Sequence, residues 1–477
     1  MTSFDKLFIG GQRVAPLGSE IIEVRSPFDN SLTGTVPAAS KDDVDRAVEV
    51  AREAFDHGPW PQTSPAERQA LLTRFNELYT ARAAEFAALI TRENGAPIAF
   101  AGILAQMIQA QNSAYIQTAA NYPWEIRQAA VPQGEAVWRR EPLGVVAAII
   151  PWNAPHQSAL VKLFPALLAG CTVVLKVSPE TALDGQVLGE LFTEAGLPDG
   201  VLSIIAADRE VSEHLVTHPG VDKIAFTGST GAGRRIASLA GAQLKRVSLE
   251  LGGKSAAIIL PGADEAAMIN AAPGSSFGNN GQSCVGLTRI LVQRDRHDAF
   301  VRALADKIAT LKVGDPSDPE TFFGPQVSER QRERVAGYID LGIAEGAMVA
   351  LGGPGKPEGL EQGAFVRPTI FANVSNDMRI AREEIFGPVV CVIPYDTEED
   401  AIRIANDSEY GLNGGVWAAT EEEGLKVARQ IRTGAVSING GFPGFQAPFG
   451  GYKQSGIGRE FGSEGLGHYI EHKAIGL

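Results

Sequence analysis

The chain has 477 residues and carries 42 lysines and arginines against 56 aspartates and glutamates, a net charge of −14 that argues against wholesale binding to nucleic acid or anionic membrane. With 44% apolar and 21% charged residues it can bury a large core without disulfides or structural metal, over about three domains at roughly 150 residues each. Three widely spaced cysteines (Cys171, Cys284 and Cys391), an N-terminus without a signal pattern and no apolar run near the ~18 residues of a membrane span lead to an expected cytoplasmic location.

Strand-like runs and turns fill the first stretch, and a helix begins near Lys41. Residues 65–93 read as one long amphipathic helix, with Leu71, Leu72, Phe75, Leu78 and Tyr79 at helical spacing and Asn94-Gly95 as its stop. A second helix covers 99–120, and Glu135-Ala-Val-Trp-Arg-Arg140 alternates as a strand does. From 144 onward strands and helices alternate: strands at 144–150, 172–177, 201–205, 222–226 and 244–249, helices at 156–169, 181–195, 209–217 and 230–240. Short β-branched strands between helices predict a doubly wound, Rossmann-like α/β domain with a parallel sheet covered on both faces. Near 252 the pattern restarts, with strands at 256–260 and 287–293, helices at 264–276 and 295–310, and further pairs up to 434–439. The cluster 352–359 is a surface turn, and the tail 465–477 reads as a strand available to a partner.

Several stretches could carry chemistry. Gly228-Ser229-Thr-Gly-Ala-Gly233 follows a strand and opens a helix, a place where backbone N–H groups suit a pyrophosphate. Its spacing is not GxGxxG, and the same residues serve ordinary turns and N-caps. Glu250-Leu251-Gly252-Gly-Lys254 ends a strand; the carboxylate is either a cap or a general base beside two glycines that allow close approach. Cys284 lies in the loop 279–286 of Asn, Gly, Gln and Ser, read either as a small turn residue or as an activated thiolate, whereas Cys171 and Cys391 sit among apolar strand residues as core. Asn153, between Pro151-Trp152 and Pro155, could donate to a developing oxyanion or simply make a turn. Glu384-Ile-Phe386-Gly-Pro could bind a ribose or end a helix. His468 and His472 lack the partners of a metal site, so no metal is expected.

Together, and in this order along the chain, Pro151-Trp-Asn153, Lys176, Gly228-Ser-Thr, Glu250-Leu-Gly-Gly-Lys, Gly281-Gln-Ser-Cys284, Glu384-Ile-Phe-Gly-Pro and Pro448-Phe-Gly-Gly-Tyr-Lys453 resemble the aldehyde dehydrogenase superfamily over essentially the whole chain. The resemblance implies an NAD(P)-dependent, non-acylating oxidation of an aldehyde to an acid. Cys284 would be the nucleophile, Asn153 the oxyanion donor, Glu250 the general base, and Lys162 and Glu460 a proton-relay pair. It implies cofactor contacts at Trp152, Lys176, Glu180, Gly228, Ser229, Gly233, Leu251, Gly252, Glu384 and Phe386, and NAD as cofactor with NADP tolerated. Pro179 stands where many NAD-dependent members carry a glutamate, and Glu180 is one position further on. It further implies a cofactor domain (1–122 and 143–250), a catalytic domain (251–455) and a β oligomerisation element (123–142 and 456–477), hence a homodimer or homotetramer. Small residues at Ala154, Ser158 and Gly278, where family members often carry large apolar ones, imply room for a bulky aldehyde: aromatic, terpenoid or long-chain. The alternatives are a CoA-acylating enzyme and a non-catalytic structural paralogue; intact Cys284, Glu250 and Asn153 weigh against the second, and intact Glu250 against the first.

Overall fold

Runs of β-branched and small apolar residues, buried on both faces, build the first sheet of the computed structural model, which describes residues 3–477; Met1 and Thr2 of the N-terminal stretch lie outside the described residues. Its eight strands lie in the order Gly456–Ile457, Arg246–Glu250, Lys223–Thr227, Val145–Ile149, Thr172–Val177, Leu202–Ala206, Leu7–Ile9 and Gln12–Val14. The five from Arg246–Glu250 to Leu202–Ala206 are parallel. Because side chains alternate along a strand, Val145, Ala147 and Ile149 enter one core with Val44 and Leu215. Val146 and Ala148 enter the opposite core with Phe75, Leu160 and Phe164. This is the doubly wound arrangement read from the sequence, with boundaries shifted by one or two residues.

The second sheet has seven strands, in the order Met348–Leu351, Thr369–Ala372, Val389–Tyr395, Arg289–Gln293, Ala256–Ile259, Gly414–Trp417 and Ser437–Ile438. All its pairs but the first are parallel, and helices again cover both faces. Arg289 is buried in this layer; its guanidinium and Nε donate to the carbonyls of Lys254, Ile404 and Ala405 and to Asn376 Oδ1, each at 2.9 Å. It therefore ties the start of this sheet to the helix Glu398–Asn406.

Three expectations change. The helix expected over 65–93 is two helices, Pro65–Ala81 and Ala83–Asn94, broken at Arg82. No Gly or Pro marks the break. The bend brings the rings of Tyr79 and Phe86 within 4.9 Å of each other and both against buried His156, so tertiary packing sets it. The tail strand Ile470–Gly476 pairs antiparallel along one side with Glu135–Pro142 of its own chain and closes a three-stranded sheet with Glu125–Ala129, leaving only its outer edge for a partner. Within the stretch 456–477, assigned wholly to an oligomerisation element, Gly456–Ile457 instead joins the edge of the first sheet beside Glu250. No helix among the described residues is long and apolar enough to cross a membrane.

Replacing Arg289 by leucine would leave four buried acceptors without a donor, so it should destabilise the protein by about 3 kcal/mol. The midpoint of urea denaturation checks this; an unchanged midpoint would contradict the anchoring role.

Candidate active site

The C-terminal ends of parallel strands point backbone N–H groups and following helix N-termini into a shared crevice. Here Val145–Ile149 leads to Trp152 and Asn153, Thr172–Val177 carries Lys176, Lys223–Thr227 leads to Gly228 and Ser229, and Arg246–Glu250 ends on Glu250. In register, Ile149 lies opposite Lys176 and Thr227 opposite Glu250, so these residues line one edge of the first sheet. The second sheet faces that edge with the starts of its strands. Glu250-Leu-Gly-Gly-Lys leads into Ala256–Ile259, the Cys284 loop into Arg289–Gln293, and Glu384-Ile-Phe-Gly-Pro into Val389–Tyr395.

The approach between the two layers leaves no room for side chains at the crossing. A Cβ on Gly253 would stand 2.4 Å from the Cys284 carbonyl oxygen, and one on Gly252 would stand 2.3 Å from Glu384 Oε2. Glu384 Oε1 accepts the Gly253 N–H at 3.0 Å. Ser455 completes the clamp: its hydroxyl donates to the Gly252 carbonyl at 2.6 Å, and its carbonyl accepts the Leu251 N–H at 2.9 Å. Leu251 in turn packs beneath Gly233, the third glycine of the Gly-rich turn.

Buried amides shape the Cys284 loop. Asn279 and Asn280 both have positive φ, 54° and 58°, the left-handed region that Asn tolerates better than other side-chain-bearing residues. Asn280 Nδ2 donates to the Gly95 and Pro325 carbonyls at 3.1 and 2.9 Å, while its Oδ1 accepts the Gly324 N–H at 2.7 Å. Gln282 Oε1 accepts the Val327 N–H at 3.0 Å. Asn153 Nδ2 donates to the Gln282 carbonyl at 3.0 Å, which brings its carboxamide to the nucleophile loop. Gly281 rests directly on the backbone of Gly387, and Phe386, at φ 61°, packs edge-on against Trp152 with ring centroids 5.4 Å apart.

The electrostatics are those of a dry acidic pocket. Cys284 is only partly buried, yet desolvation, reinforced by the charges of Glu384 and Glu250, pushes its thiol up to about 12. Burial, then the charge of Glu460, holds the Glu250 carboxyl well above the usual carboxylate range, against a smaller opposing pull from Lys162 and Arg459. Glu250 Oε2 has no hydrogen-bond partner, and Oε1 lies over Gly450, where a Cβ would come within 2.7 Å. Lys162, buried on the helix Pro155–Ala169, donates to Glu460 at 2.5 Å and to Thr227 Oγ1 at 2.6 Å.

The dinucleotide candidates lie on the first sheet's side of the pocket. Ser229 caps the helix Thr230–Gly241, its hydroxyl accepting from Ala232 N, and nothing lies within 4 Å of where a Gly231 side chain would begin. That open first turn can receive a phosphate on its free N–H groups. Lys176 is buried, which pushes its ammonium down to about 8 and makes a polar ligand at that strand end favourable. Glu180 sits in a short turn after it, accepts from the Ser178 hydroxyl, and lies 3.6 Å from exposed Arg330. The expected room at Gly278 is not open space. A Cβ there would meet the Gly274 carbonyl at 2.6 Å, and the ring of Phe100, from the helix Ile98–Ala120, stands 3.8 Å away.

Residues 14–475 match the Aldehyde dehydrogenase family. The chain belongs to that family. It is therefore an oxidoreductase that acts on aldehydes. It is 44% identical over 99% of its length to geranial dehydrogenase of Castellaniella defragrans, covering 98% of that protein. Its fold matches the crystal structure of a Mycobacterium tuberculosis aldehyde dehydrogenase complexed with NAD+ at a TM-score of 0.98 and 47% identity, over 100% of this chain and 98% of that one. It also matches a mutant of aldehyde dehydrogenase C from Pseudomonas syringae, complexed with NAD+ and octanal, at a TM-score of 0.96 and 41% identity over 99% and 96% of the two chains.

In this aldehyde dehydrogenase Cys284, Asn153, Glu250 and Glu384 stand at the crossing of the two sheets, while Lys176, Glu180 and Ser229 lie along the first sheet's edge; the amides that hold the crossing were not legible. Asn94, Asn280, Gln282 and Gln326 are buried polar residues from three stretches of chain. Only the adjacent pair Asn279-Asn280, with its tolerance of left-handed backbone, offered a signal. Adding a methyl at the layer crossing tests the clamp. Gly253→Ala should keep its secondary structure by circular dichroism and lose more than about 100-fold in aldehyde oxidation, because displacing a reacting group by even about 1 Å has that scale of effect. Activity near the parent value would contradict the contact described.

Proposed function

We propose that this enzyme oxidises a bulky, apolar aldehyde to a carboxylic acid with NAD, through a covalent adduct on Cys284. The observation that carries the reading is the meeting of Cys284, Asn153 and Glu250 at one crossing of two sheets, with Asn153 hydrogen-bonded to the nucleophile loop. Once the Cys284 thiol has released its proton to solvent, its thiolate attacks the carbonyl carbon and the carbonyl π pair moves onto oxygen. The Asn153 carboxamide and the Cys284 backbone N–H receive the oxyanion where charge develops. NAD, when bound, would supply the hydride acceptor: the first turn after Gly228 and Ser229 would hold its pyrophosphate, Lys176 and Glu180 its adenosine ribose, and Glu384, Phe386, Trp152, Leu251 and Gly252 its nicotinamide end. Loss of hydride from the adduct leaves a thioester on Cys284. Glu250 then takes a proton from water as the water attacks, and the unpartnered Oε2 is the acceptor for it. Lys162 and Glu460, in contact at 2.5 Å and electrostatically felt by Glu250, carry that proton away. A carboxylate built to activate water favours hydrolysis over transfer to CoA.

Substrate size follows from the walls. We read the small side chains of Ala154 and Ser158, just after Asn153, as leaving room beside the nucleophile, while Phe100 stands beside Gly278. Phe449 and Phe461 flank Glu460, and their rings continue through Phe445 to exposed Phe442, with centroids 5.1 to 5.9 Å apart. Such an aromatic file suits an extended hydrocarbon, in keeping with the names of the geranial and octanal relatives. The three cysteines are free thiols, consistent with work in a reducing cytoplasm. The boundaries 1–122 with 143–250, 251–455, and 123–142 with the tail remain our division into cofactor, catalytic and oligomerisation parts. The two open edges of the three-stranded sheet and exposed Trp138 favour a homodimer or homotetramer. Sedimentation at monomer mass would refute that assembly.

Absorbance of NADH or NADPH, followed across an aldehyde panel, tests the function. Octanal should exceed acetaldehyde by at least about tenfold in kcat/KM, since each buried methylene adds roughly 1 kcal/mol or more. Cys284→Ala should abolish the reaction; activity that survived it would sink the mechanism. Glu250→Gln should retain one stoichiometric burst of NADH and then stop. Both the thiol, at about 12, and the raised Glu250 carboxyl must lose protons to act. The rate should therefore climb as pH rises from 6 to 9, and a rate that fell over that range would contradict the assignment. Glu180→Gln should increase the NADP-to-NAD efficiency ratio by about tenfold, because the carboxylate repels a 2′-phosphate. A parent enzyme that already favoured NADP would overturn the NAD preference.

A further inference from the structure

The tripeptide Glu93-Asn94-Gly95 ends the helix Ala83–Asn94 and bonds to three segments around the pocket: the helix after Glu180, the turn at Trp152-Asn153 and the nucleophile loop. Glu93 is buried, and its two carboxyl oxygens accept the N–H groups of Leu183 and Asp184 at 2.8 and 3.1 Å, capping the helix Ala182–Ala195 just beyond Glu180. The Gly95 carbonyl accepts from Asn280 Nδ2 at 3.1 Å in the nucleophile loop. Between them, Asn94 Nδ2 donates to the Trp152 carbonyl at 3.1 Å and lies 3.5 Å from the Asn153 carbonyl.

The Asn153 carbonyl also accepts from Asn279 Nδ2, at 2.8 Å. Asn153 is thus held by its backbone from one side by Asn94 and from the other by Asn279, while its side chain spans to the Gln282 carbonyl. The residue that follows, Ala154, has φ −145° and ψ 69°, outside the helix that begins at Pro155, and makes no side-chain cap. The orientation of the Trp152–Asn153 peptides is therefore set by outside donors and not by the helix.

We infer that Asn94 is a positioning residue for the oxyanion donor. Its carboxamide fixes the Trp152–Asn153 turn so that the Asn153 amide faces the sulfur of Cys284; this rests on the reading of Asn153 given above. Asn94 has a second duty that a different group could perform: its Oδ1 accepts the Ala96 N–H at 2.9 Å and shapes the turn after the helix. Aspartate has the same outline and keeps that acceptor, but it has no hydrogen to give and sets a carboxylate against two carbonyl oxygens. Serine keeps an acceptor and adds no charge.

The test is a double-mutant cycle on the full-length enzyme with octanal and NAD+, comparing Asn94→Asp, Asn94→Ser, Asn153→Ala and the combinations. Both single changes at 94 should lower kcat by about tenfold or more while KM for NAD+ moves less than twofold, and each should cost less than twofold once Asn153 is alanine. Alkylation of Cys284 by iodoacetamide, which forms no oxyanion, should proceed at the parent rate. Full additivity with Asn153→Ala, an unchanged kcat, or slowed alkylation would overturn the inference, and the serine variant decides if the aspartate one does not fold. A parent enzyme that reduces no NAD+ with any aldehyde, or an Asn153→Ala variant with parent activity, would defeat the proposed function, and this inference with it. Normal impairment by Asn153→Ala with additive effects at 94 would defeat this inference alone.

Discussion

The backbone of Gly253 passes the carbonyl of Cys284 so closely that Gly253 has no space for a Cβ, with the Glu384 carboxylate filling the place beside Gly252, and the rest of the site depends on that approach. One sheet ends at the crossing and the other begins there. Parallel strands deliver their C-terminal ends, with helix N-termini behind them, to one side, which suits an anionic dinucleotide. The second sheet delivers the starts of its strands, with long loops before them, and loops can carry a nucleophile at an angle that no strand end provides. The short segment from Glu250 to Ser255 leads directly from the first sheet into the second, so it carries the general base, the two glycines and the close contact with the nucleophile loop within a few residues.

Desolvation sets the chemistry of the resting pocket. Glu250, Glu384 and Glu460 surround one thiol, with Lys162 as the buried cation that pairs with one of them. Charges removed from water without partners are costly, and the protein meets that cost by keeping protons on the thiol and on Glu250. Such a pocket is quiet until something cationic or strongly polar enters it. An oxidised nicotinamide ring carries a positive charge, and an excess of carboxylates is the environment that favours it.

A lattice of side-chain amides does the holding. Asparagine and glutamine both donate and accept, so each can close a gap between backbone segments that have no ladder to pair them. Asn94, Asn153, Asn279, Asn280, Gln282 and Gln326 join the helix before the first sheet, the oxyanion turn, the nucleophile loop and the segment 324–327. A glycine-rich loop alone would be mobile; amides on both sides make this one rigid enough to aim a sulfur.

Alternating strands and helices, each with its apolar period, were readable along the chain because periodicity is local: the parallel strands from 144 to 250 and their helices stand within two residues of where the pattern put them. The reactive candidates were readable too, since a cysteine among glycines, a glutamate before two glycines and an asparagine between prolines are chemically conspicuous, and their order along the chain marked the family. Tertiary structure decided what local pattern could not. Arg82 breaks a helix that has no breaker because three aromatic rings must meet on one another. The tail strand's partner in the three-stranded sheet lies more than 300 residues earlier in the sequence, a contact no local period encodes. Phe100 stands beside Gly278 because space left by a missing side chain is taken by whatever packs there. By itself the sequence determined which residues can react and which elements carry them. Only the folded chain decided how far apart they stand, which protons they keep and which amides hold them, because distance and desolvation exist only once distant segments are packed together.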